Sequence, residues 1–211
     1  MPYSSYLNKE DIVPVDNIEL QHKHQFHFKE FYKMTHDWFD DNGYVSEYGD
    51  DSYENFFMER LLDGGIRETR YWWHLFKNPS GPYTPTYNGK PFVRFHLSFR
   101  IRALGVKDVE VAYGSRKVKV QDGEVSIMVY EEMIINYSLL KNHWLGSMFF
   151  DMFKKRWYKS YHEQYKKMAY NDFHSLENTC KRWLNWYQYS LVPKPLRPSV
   201  GGYRAKSEFE K

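Results

Sequence analysis

The chain has very little cysteine: Cys180 is the only one among its 211 residues. One thiol cannot form an internal disulfide bond, which excludes the disulfide-stabilised scaffolds common among small secreted proteins. Long hydrophobic runs are also missing, since none approaches the roughly 18 residues that a membrane-spanning helix needs. Residues 1–6 lack the basic segment and apolar stretch of a secretory signal peptide. We therefore expect a soluble, intracellular protein of the cytoplasm with no membrane partner.

Catalytic signatures are absent as well. The sequence contains neither the GxGxxG nor the GxxxxGK phosphate-binding pattern, and neither HExxH nor GxSxG. Cys180 lies on the apolar face of a predicted helix, where a free cysteine usually acts as a small buried hydrophobic residue. Glu131 and Glu132 are adjacent on a predicted strand, so they point to opposite faces and cannot act as a carboxylate pair. We predict that the protein is not an enzyme.

Two segments resemble metal-binding patterns without meeting their requirements. His22, His24 and His27 lie close together, but no further ligand follows at the spacing of a metal site. The acidic segment 38–49 does not match a calcium loop, because carboxylates are missing at its first and twelfth positions. We therefore predict neither a metal ion nor another cofactor.

Aromatic residues are the most unusual part of the composition. The chain has 15 Phe, 19 Tyr and 7 Trp, which together make up 19% of it. Such side chains bury large areas in a core, and Tyr and Trp also favour wet interfaces because they keep a polar group. The sequence is thus compatible with a bulky core, a partner-binding surface, or both.

Charge is unevenly distributed along the chain. Residues 1–140 contain 16 Lys and Arg against 21 Asp and Glu, a net charge of −5. Residues 141–211 contain 14 against 6, a net charge of +8. An acidic part beside a basic part can pair within one molecule or between copies, or it can present the basic part to an anionic partner.

The N-terminal third contains an expected arm, two helices and a strand. Residues 1–25 are polar, contain two prolines and show no sustained period, which predicts an extended arm. Apolar residues then recur at steps of three and four over 27–41, predicting an amphipathic helix that the following Asn-Gly pair terminates. We expect a short helix over about 52–58 and a strand over 66–77.

A strict apolar–polar alternation begins at Phe92, after a Pro/Gly-rich loop over 78–91. It predicts a half-buried antiparallel strand with a basic outer face. Shorter alternating runs follow, with turns predicted at Gly114-Ser115 and Asp122-Gly123, because Asp-Gly between such runs is a strong hairpin signal. We expect a meander of four to five strands from about 92 to 136.

The C-terminal part has helical periodicity. It predicts two amphipathic helices over about 142–170 and 172–190, with Asp172 as the N-cap of the second, and a flexible basic tail over 191–211. The predicted fold class is α+β: an antiparallel β-meander of four to five strands covered by one N-terminal and two C-terminal amphipathic helices. Residues 26–190 would form the single domain.

Two basic surfaces are the candidate sites for an anionic ligand or a partner. The first is the sheet face with Arg94, Arg100 and Arg102, which Lys117 and Lys119 would join across the hairpins. The second is the polar side of the first C-terminal helix, with Lys154, Lys155, Arg156 and Lys159. Charged side chains also keep a sheet face or a packed helix soluble, so both surfaces have a structural interpretation too.

Two functional hypotheses follow. The first is a structural or accessory subunit of a larger assembly that acts through protein–protein contacts, with a protein partner or a second copy of itself. It rests on the aromatic content, the arm and tail, and the opposite charges of the two parts of the chain. The alternative is a nucleic-acid-binding protein that uses the basic sheet face and the basic helix. A calculated isoelectric point near 8.7 and the absence of a recognition motif favour the first.

Overall fold

The computed structural model describes residues 12–46, 53–79, 86–87, 90–113, 116–137, 152, 156 and 158–184. The elements follow in chain order: β1 (Ile12–Phe26), α1 (Phe28–Asp41), β2 (Val45–Ser46), β3 (Glu54–Leu62), a 3-10 turn (Asp63–Gly65), β4 (Ile66–Lys77), β5 (Thr86–Tyr87), β6 (Lys90–Pro91), β7 (Val93–Tyr113), β8 (Arg116–Ile135) and α2 (Lys159–Trp183).

Six of these strands form one antiparallel sheet. Its order is β1-β8-β7-β4-β2, and β3 pairs with another part of β4. The long strands β7 and β8, of 21 and 20 residues, form its centre. The predicted meander of four to five strands over about 92–136 is therefore wrong, because the described residues of this segment form two long strands. Strands β5 and β6 form a separate two-stranded sheet. With two described helices, the fold is α+β and mostly antiparallel sheet.

The core lies between the sheet and the helices. The predicted alternation along β7 is confirmed: Phe95, Leu97, Phe99 and Ile101 are almost completely buried. The predicted helix over 27–41 is confirmed as α1, and its Phe39 packs edge-on against Phe99 with ring centroids 5.4 Å apart. Helix α2 contributes a second buried stripe, which includes Cys180 as the sequence predicts. Neither described helix carries an apolar segment long enough to cross a bilayer.

The predicted turn at Asp122-Gly123 is wrong. Strand β8 continues through this pair, and the irregularity lies opposite it, where Leu104 pairs with Glu124 and Lys107 pairs with Asp122. Gly105 adopts a φ of +66° there, as in the class of β-bulge whose first residue is a glycine in the left-handed conformation. A Cβ on Gly123 would lie 3.0 Å from the Leu104 carbonyl oxygen, so the glycine admits the bulged backbone. The other predicted turn, at 114–115, lies outside the described residues.

Two N-terminal predictions also need correction. Residues 12–26 are not part of an arm: they form β1, which pairs with β8 over its length apart from one bulge between Pro14 and Asp16. Residues 54–62 form β3 and not a helix, because their backbone hydrogen bonds pair with β4. Local periodicity does not reveal either strand. Strand β1 depends on β8, which is distant in sequence, and β3 is an exposed edge strand with apolar residues on both faces.

The C-terminal helices are also arranged differently. Helix α2 runs without interruption from Lys159 to Trp183, so the predicted break near residue 171 does not occur. Asp172 is therefore not an N-cap. It lies inside the helix and forms a 2.5 Å ion pair with Lys77 on β4. Most of the predicted helix before Tyr158, the segment after Leu184 and the tail over 191–211 lie outside the described residues.

Candidate functional site: the outer face of the sheet

The sheet has two chemically different faces. The core face packs against α1 and α2, because the apolar side chains of β4, β7 and β8 point to it. We call the opposite side the outer face, and neither described helix packs on it. Strand β7 contributes to it Arg94, His96, Ser98, Arg100 and Arg102, which are the polar positions of the predicted alternation.

An aromatic–arginine cluster lies on the outer face, formed by Phe56, Trp72, Arg100 and Tyr130. Strand pairing places them side by side: Phe56 lies opposite Trp72, which lies opposite Arg100. The Phe56 and Trp72 rings stack with centroids 4.6 Å apart. The guanidinium carbon of Arg100 lies 5.5 Å from the centroid of Trp72 and 5.7 Å from that of Tyr130. The arginine is thus held between two aromatic rings, an arrangement that stabilises a cation and restricts its motion.

A small cavity of about 200 Å³ adjoins this cluster. Ser98, a small residue, and Tyr130, which lies opposite it on β8, both line this cavity. Arg100 donates a 3.3 Å hydrogen bond from Nε to the Ser98 hydroxyl, so the guanidinium lines one end of the cavity. Glu132 and His96 line the other end. The cavity therefore offers a cation at one end and hydrogen-bond acceptors at the other.

Two stacked histidines continue the outer face. The His74 and His96 rings are nearly parallel, and Nδ1 of His74 lies 3.2 Å from Nε2 of His96. Nδ1 of His96 in turn lies 3.4 Å from the Glu132 carboxylate. Burial, reinforced by the neighbouring His96 and Arg100, lowers the pKa of His74 to about 4. At neutral pH His74 is therefore uncharged, and arginines supply the positive charge around it.

Acidic residues neutralise part of this charge. Glu68 accepts a 2.8 Å hydrogen bond from Nε of Arg70 and lies 4.0 Å from Nε of Arg102. In contrast, Arg100 has no carboxylate partner among the residues that the structure describes. It is the cation of the cluster that remains available to an incoming acidic group.

The structure brings together only part of the predicted sheet patch. Arg94, Arg100 and Arg102 share the outer face, and Arg94 lies over the Phe76 ring at 4.5 Å. Alternation along β8 assigns the exposed Lys119 to the core-face side, with Val125. Lys119 therefore does not join the arginines. Lys117 lies opposite Ala112 near the end of the hairpin.

The predicted basic helix surface is described at two of its four positions. Arg156 and Lys159 are exposed, and Lys159 begins α2. Because α2 packs on the core face, Lys159 does not extend the arginine patch of the outer face. Lys154 and Lys155 lie outside the described residues.

Sequence reasoning missed the aromatic part of the site. The adjacency of Trp72 and Trp73 predicts that they point to opposite faces, and the structure buries Trp73 in the core and leaves Trp72 on the outer face. The stack with Phe56 and the approach of Tyr130 to Arg100 depend on strand register, which local patterns do not reveal.

A buried polar network on the core face is a second candidate. Tyr44 donates a 3.0 Å hydrogen bond to Oε1 of Glu131, and the Lys77–Asp172 ion pair lies nearby. Burial raises the pKa of Glu131 to about 8. Tyr44 and Glu131 are each only 1% exposed. A substrate cannot reach them without opening the fold, so this network has a structural role.

The histidine-rich segment 22–27, at the end of β1 and just beyond it, lines a wider cavity of about 590 Å³. His22, His24 and His27 contribute to it together with Trp183. Burial is the main cause that lowers the pKa of His22. Within the described residues, no group of three His, Cys, Asp or Glu side chains could hold a metal ion.

No protein-family model matches the chain, and no curated protein matches its sequence.

Proposed function

We propose that this chain is a non-enzymatic subunit of a larger assembly and that it binds a protein partner through the outer face of its sheet. The observation that carries this proposal is the aromatic–arginine cluster. Trp, Tyr and Arg are the residues most enriched at the energetic centres of protein interfaces. Here Trp72, Tyr130 and Arg100 occur in direct contact on one surface.

Exposure and preorganisation support this proposal. Tyr130 is 42% exposed and Phe56 is 37% exposed, which is unusual for large side chains that could be buried in a core. The guanidinium of Arg100 is already positioned by its two rings and by Ser98, so binding costs little side-chain entropy. A partner that supplies a carboxylate to Arg100 and covers the rings would match this surface.

A pair of interface variants tests the proposal. Arg100→Ala and Tyr130→Ala should each weaken capture of the partner from extracts of cells that express the protein. Truncation of such interface residues costs about 2 kcal/mol or more, which corresponds to roughly 30-fold in affinity. Tyr170→Ala is the matched control, because Tyr170 is 45% exposed on α2, away from the outer face. Undiminished capture by both outer-face variants would contradict the proposal.

Nucleic acid remains the second candidate ligand, on one specific observation. An arginine between two aromatic rings can bind a phosphate while a base stacks on Tyr130 or Trp72. Fluorescence anisotropy with a labelled single-stranded oligonucleotide distinguishes the candidates. Phosphate-based binding should weaken steeply between about 50 and 200 mM salt. Because Glu68 and Glu132 place negative charge on the same face, we expect little oligonucleotide binding even at low salt.

A further inference from the structure

Strand β3 is an edge of the sheet with unusual side chains. Among the described residues it pairs only with β4. Edge strands normally carry charge, proline or bulges that prevent pairing with another chain. Strand β3 has charges at Glu59 and Arg60 and an irregularity before Phe56. Apolar side chains are nevertheless exposed on both of its faces: Phe56 at 37%, Phe57 at 52%, Leu61 at 72% and Leu62 at 39%.

The order of residues in this strand is symmetric about Glu59. Two apolar residues, Phe56 and Phe57, precede the centre by three and two positions, and Leu61 and Leu62 follow it at the same distances. When two copies pair antiparallel about a two-fold axis at Glu59, Phe56 lies opposite Leu62 and Phe57 opposite Leu61. The axis is normal to the sheet, so paired residues share a face and each apolar residue meets another apolar residue.

We propose that a second copy of this chain pairs with the edge of β3 that no described strand occupies, which joins the two sheets into one. The surface is self-complementary, as a two-fold interface requires, and an unrelated partner would not need this symmetry. The proposal shares Phe56 with the partner surface proposed above, but it rests on the edge of β3 and not on the guanidinium of Arg100. Both would make the chain part of a larger assembly.

Charges near the axis fit a second copy. The two Glu59 side chains would lie opposite each other, a like-charge contact that opposes pairing. Arg67 of the same copy offsets only part of this charge, because its Nη1 lies 3.9 Å from Glu59 Oε1 while its Nη2 pairs more closely with Asp108. Arg60 would lie opposite Met58 of the other copy on the outer face, where its aliphatic stem can cover the thioether. The acidic pair at the axis thus weakens the dimer without excluding it.

The size of the surface predicts a weak dimer. The exposed fractions of the four apolar side chains correspond to roughly 300–400 Å² in each copy. Paired backbone and flanking side chains bring the total near the lower limit of specific interfaces, about 1,200 Å². We expect a monomer–dimer equilibrium with a dissociation constant in the micromolar range.

Sedimentation equilibrium of the full chain, from about 1 to 300 μM, measures this equilibrium. Leu61→Lys should raise the dissociation constant at least tenfold, because Leu61 is the most exposed apolar residue of the strand. Glu59→Gln should lower it several-fold by removing the like-charge contact. Circular dichroism of each variant checks the fold. A chain that stays monomeric over the whole range, or a dimer that Leu61→Lys leaves intact, would overturn the proposal.

Cysteine cross-linking tests the register and does not depend on the strength of the dimer. Opposed residues in antiparallel strands have Cα atoms about 4.5 or 5.5 Å apart, within disulfide range. Glu59→Cys should therefore form a covalent dimer under mild oxidation. Arg60→Cys should not, because residue 60 lies opposite residue 58. The native Cys180 is buried and does not interfere. Cross-linking of Arg60→Cys with no reaction of Glu59→Cys would refute the register.

The two proposals can fail separately. Leu61→Lys removes the dimer and leaves Trp72, Arg100 and Tyr130 unchanged, so partner capture should persist. Arg100→Ala should reduce partner capture and leave the sedimentation profile unchanged. If Leu61→Lys does not fold, Leu61→Ser removes the same apolar contact with a smaller and neutral side chain, and the same sedimentation result is expected.

Discussion

Replacing Glu131 with glutamine should change how the stability of this fold depends on pH. Glu131 lies on β8 at the core face, is 1% exposed and accepts a hydrogen bond from Tyr44. Burial is the main cause that raises its pKa from the ordinary 4.5 to about 8, and the negative charge of Asp172 adds to the effect. The glutamine side chain would keep a similar shape and the acceptor oxygen but could not ionise.

The magnitude follows from proton linkage. The folded chain holds the Glu131 proton more tightly than the unfolded chain does. The contribution of this proton to the free energy of unfolding is therefore complete below pH 4.5 and is lost as the pH rises to about 8. Relative to the protein at low pH, the ionisation of Glu131 then lowers the free energy of unfolding by about 1 kcal/mol at pH 5, about 3 kcal/mol at pH 7 and about 5 kcal/mol at pH 9. Relative to the wild type, Glu131→Gln should become steadily more stable over this range.

Urea denaturation of both proteins at pH 5, 7 and 9, followed by circular dichroism, measures this difference. Burying the glutamine amide can lower the free energy of unfolding of the variant by the same amount at every pH. Such a constant offset does not change how the difference between variant and wild type grows with pH. Glu163→Gln is the matched control, because the Glu163 side chain is 68% exposed and water solvates it in both states. Parallel pH profiles for Glu131→Gln and the wild type would refute the reasoning.

Two further predictions concern the described helices. Cys180 is buried on α2, and burial raises the pKa of its thiol to about 12. It should therefore not react with a thiol reagent at pH 8 until urea unfolds the chain. Fast labelling of the native protein would contradict the placement of α2. Gly43 follows α1 with a φ of +71° and open space around it, so Gly43→Ala should destabilise the fold by about 1 kcal/mol through backbone strain alone. Gly43→Asn should cost less, because Asn adopts this conformation more readily, and equal urea midpoints for the Ala variant and the wild type would argue against that strain.

Strand β1 decides what an N-terminal deletion would test. An arm over 1–25 could be deleted without loss of the fold, and such a deletion would then test assembly directly. Because Ile12–Phe26 form β1 and pair with β8, the deletion removes a strand of the sheet. We therefore expect truncation of residues 1–25 to destabilise the chain, and assembly is better tested at β3.

Local patterns in the sequence determined those elements whose own residues decide their conformation. The period of two along β7 and the period of 3.6 along α1 indicate which side of each element is buried, because apolar side chains must face the core. The same period of two assigns Trp72 and Trp73 to opposite faces of the sheet, and likewise Glu131 and Glu132. It also identified the face that carries Arg94, Arg100 and Arg102, although it overestimated the patch by including Lys119.

Only the tertiary structure decided which strands become neighbours. Asp122-Gly123 is equally suited to a hairpin turn and to a strand that passes a bulge, and the choice depends on β7, about 20 residues away in sequence. The cavity at Ser98 depends on Tyr130, which strand register places opposite Ser98. Strand register and burial arise from the whole chain folding together. Local sequence therefore could not reveal the aromatic–arginine cluster, the raised pKa of Glu131 or the position of β3 at an edge of the described sheet.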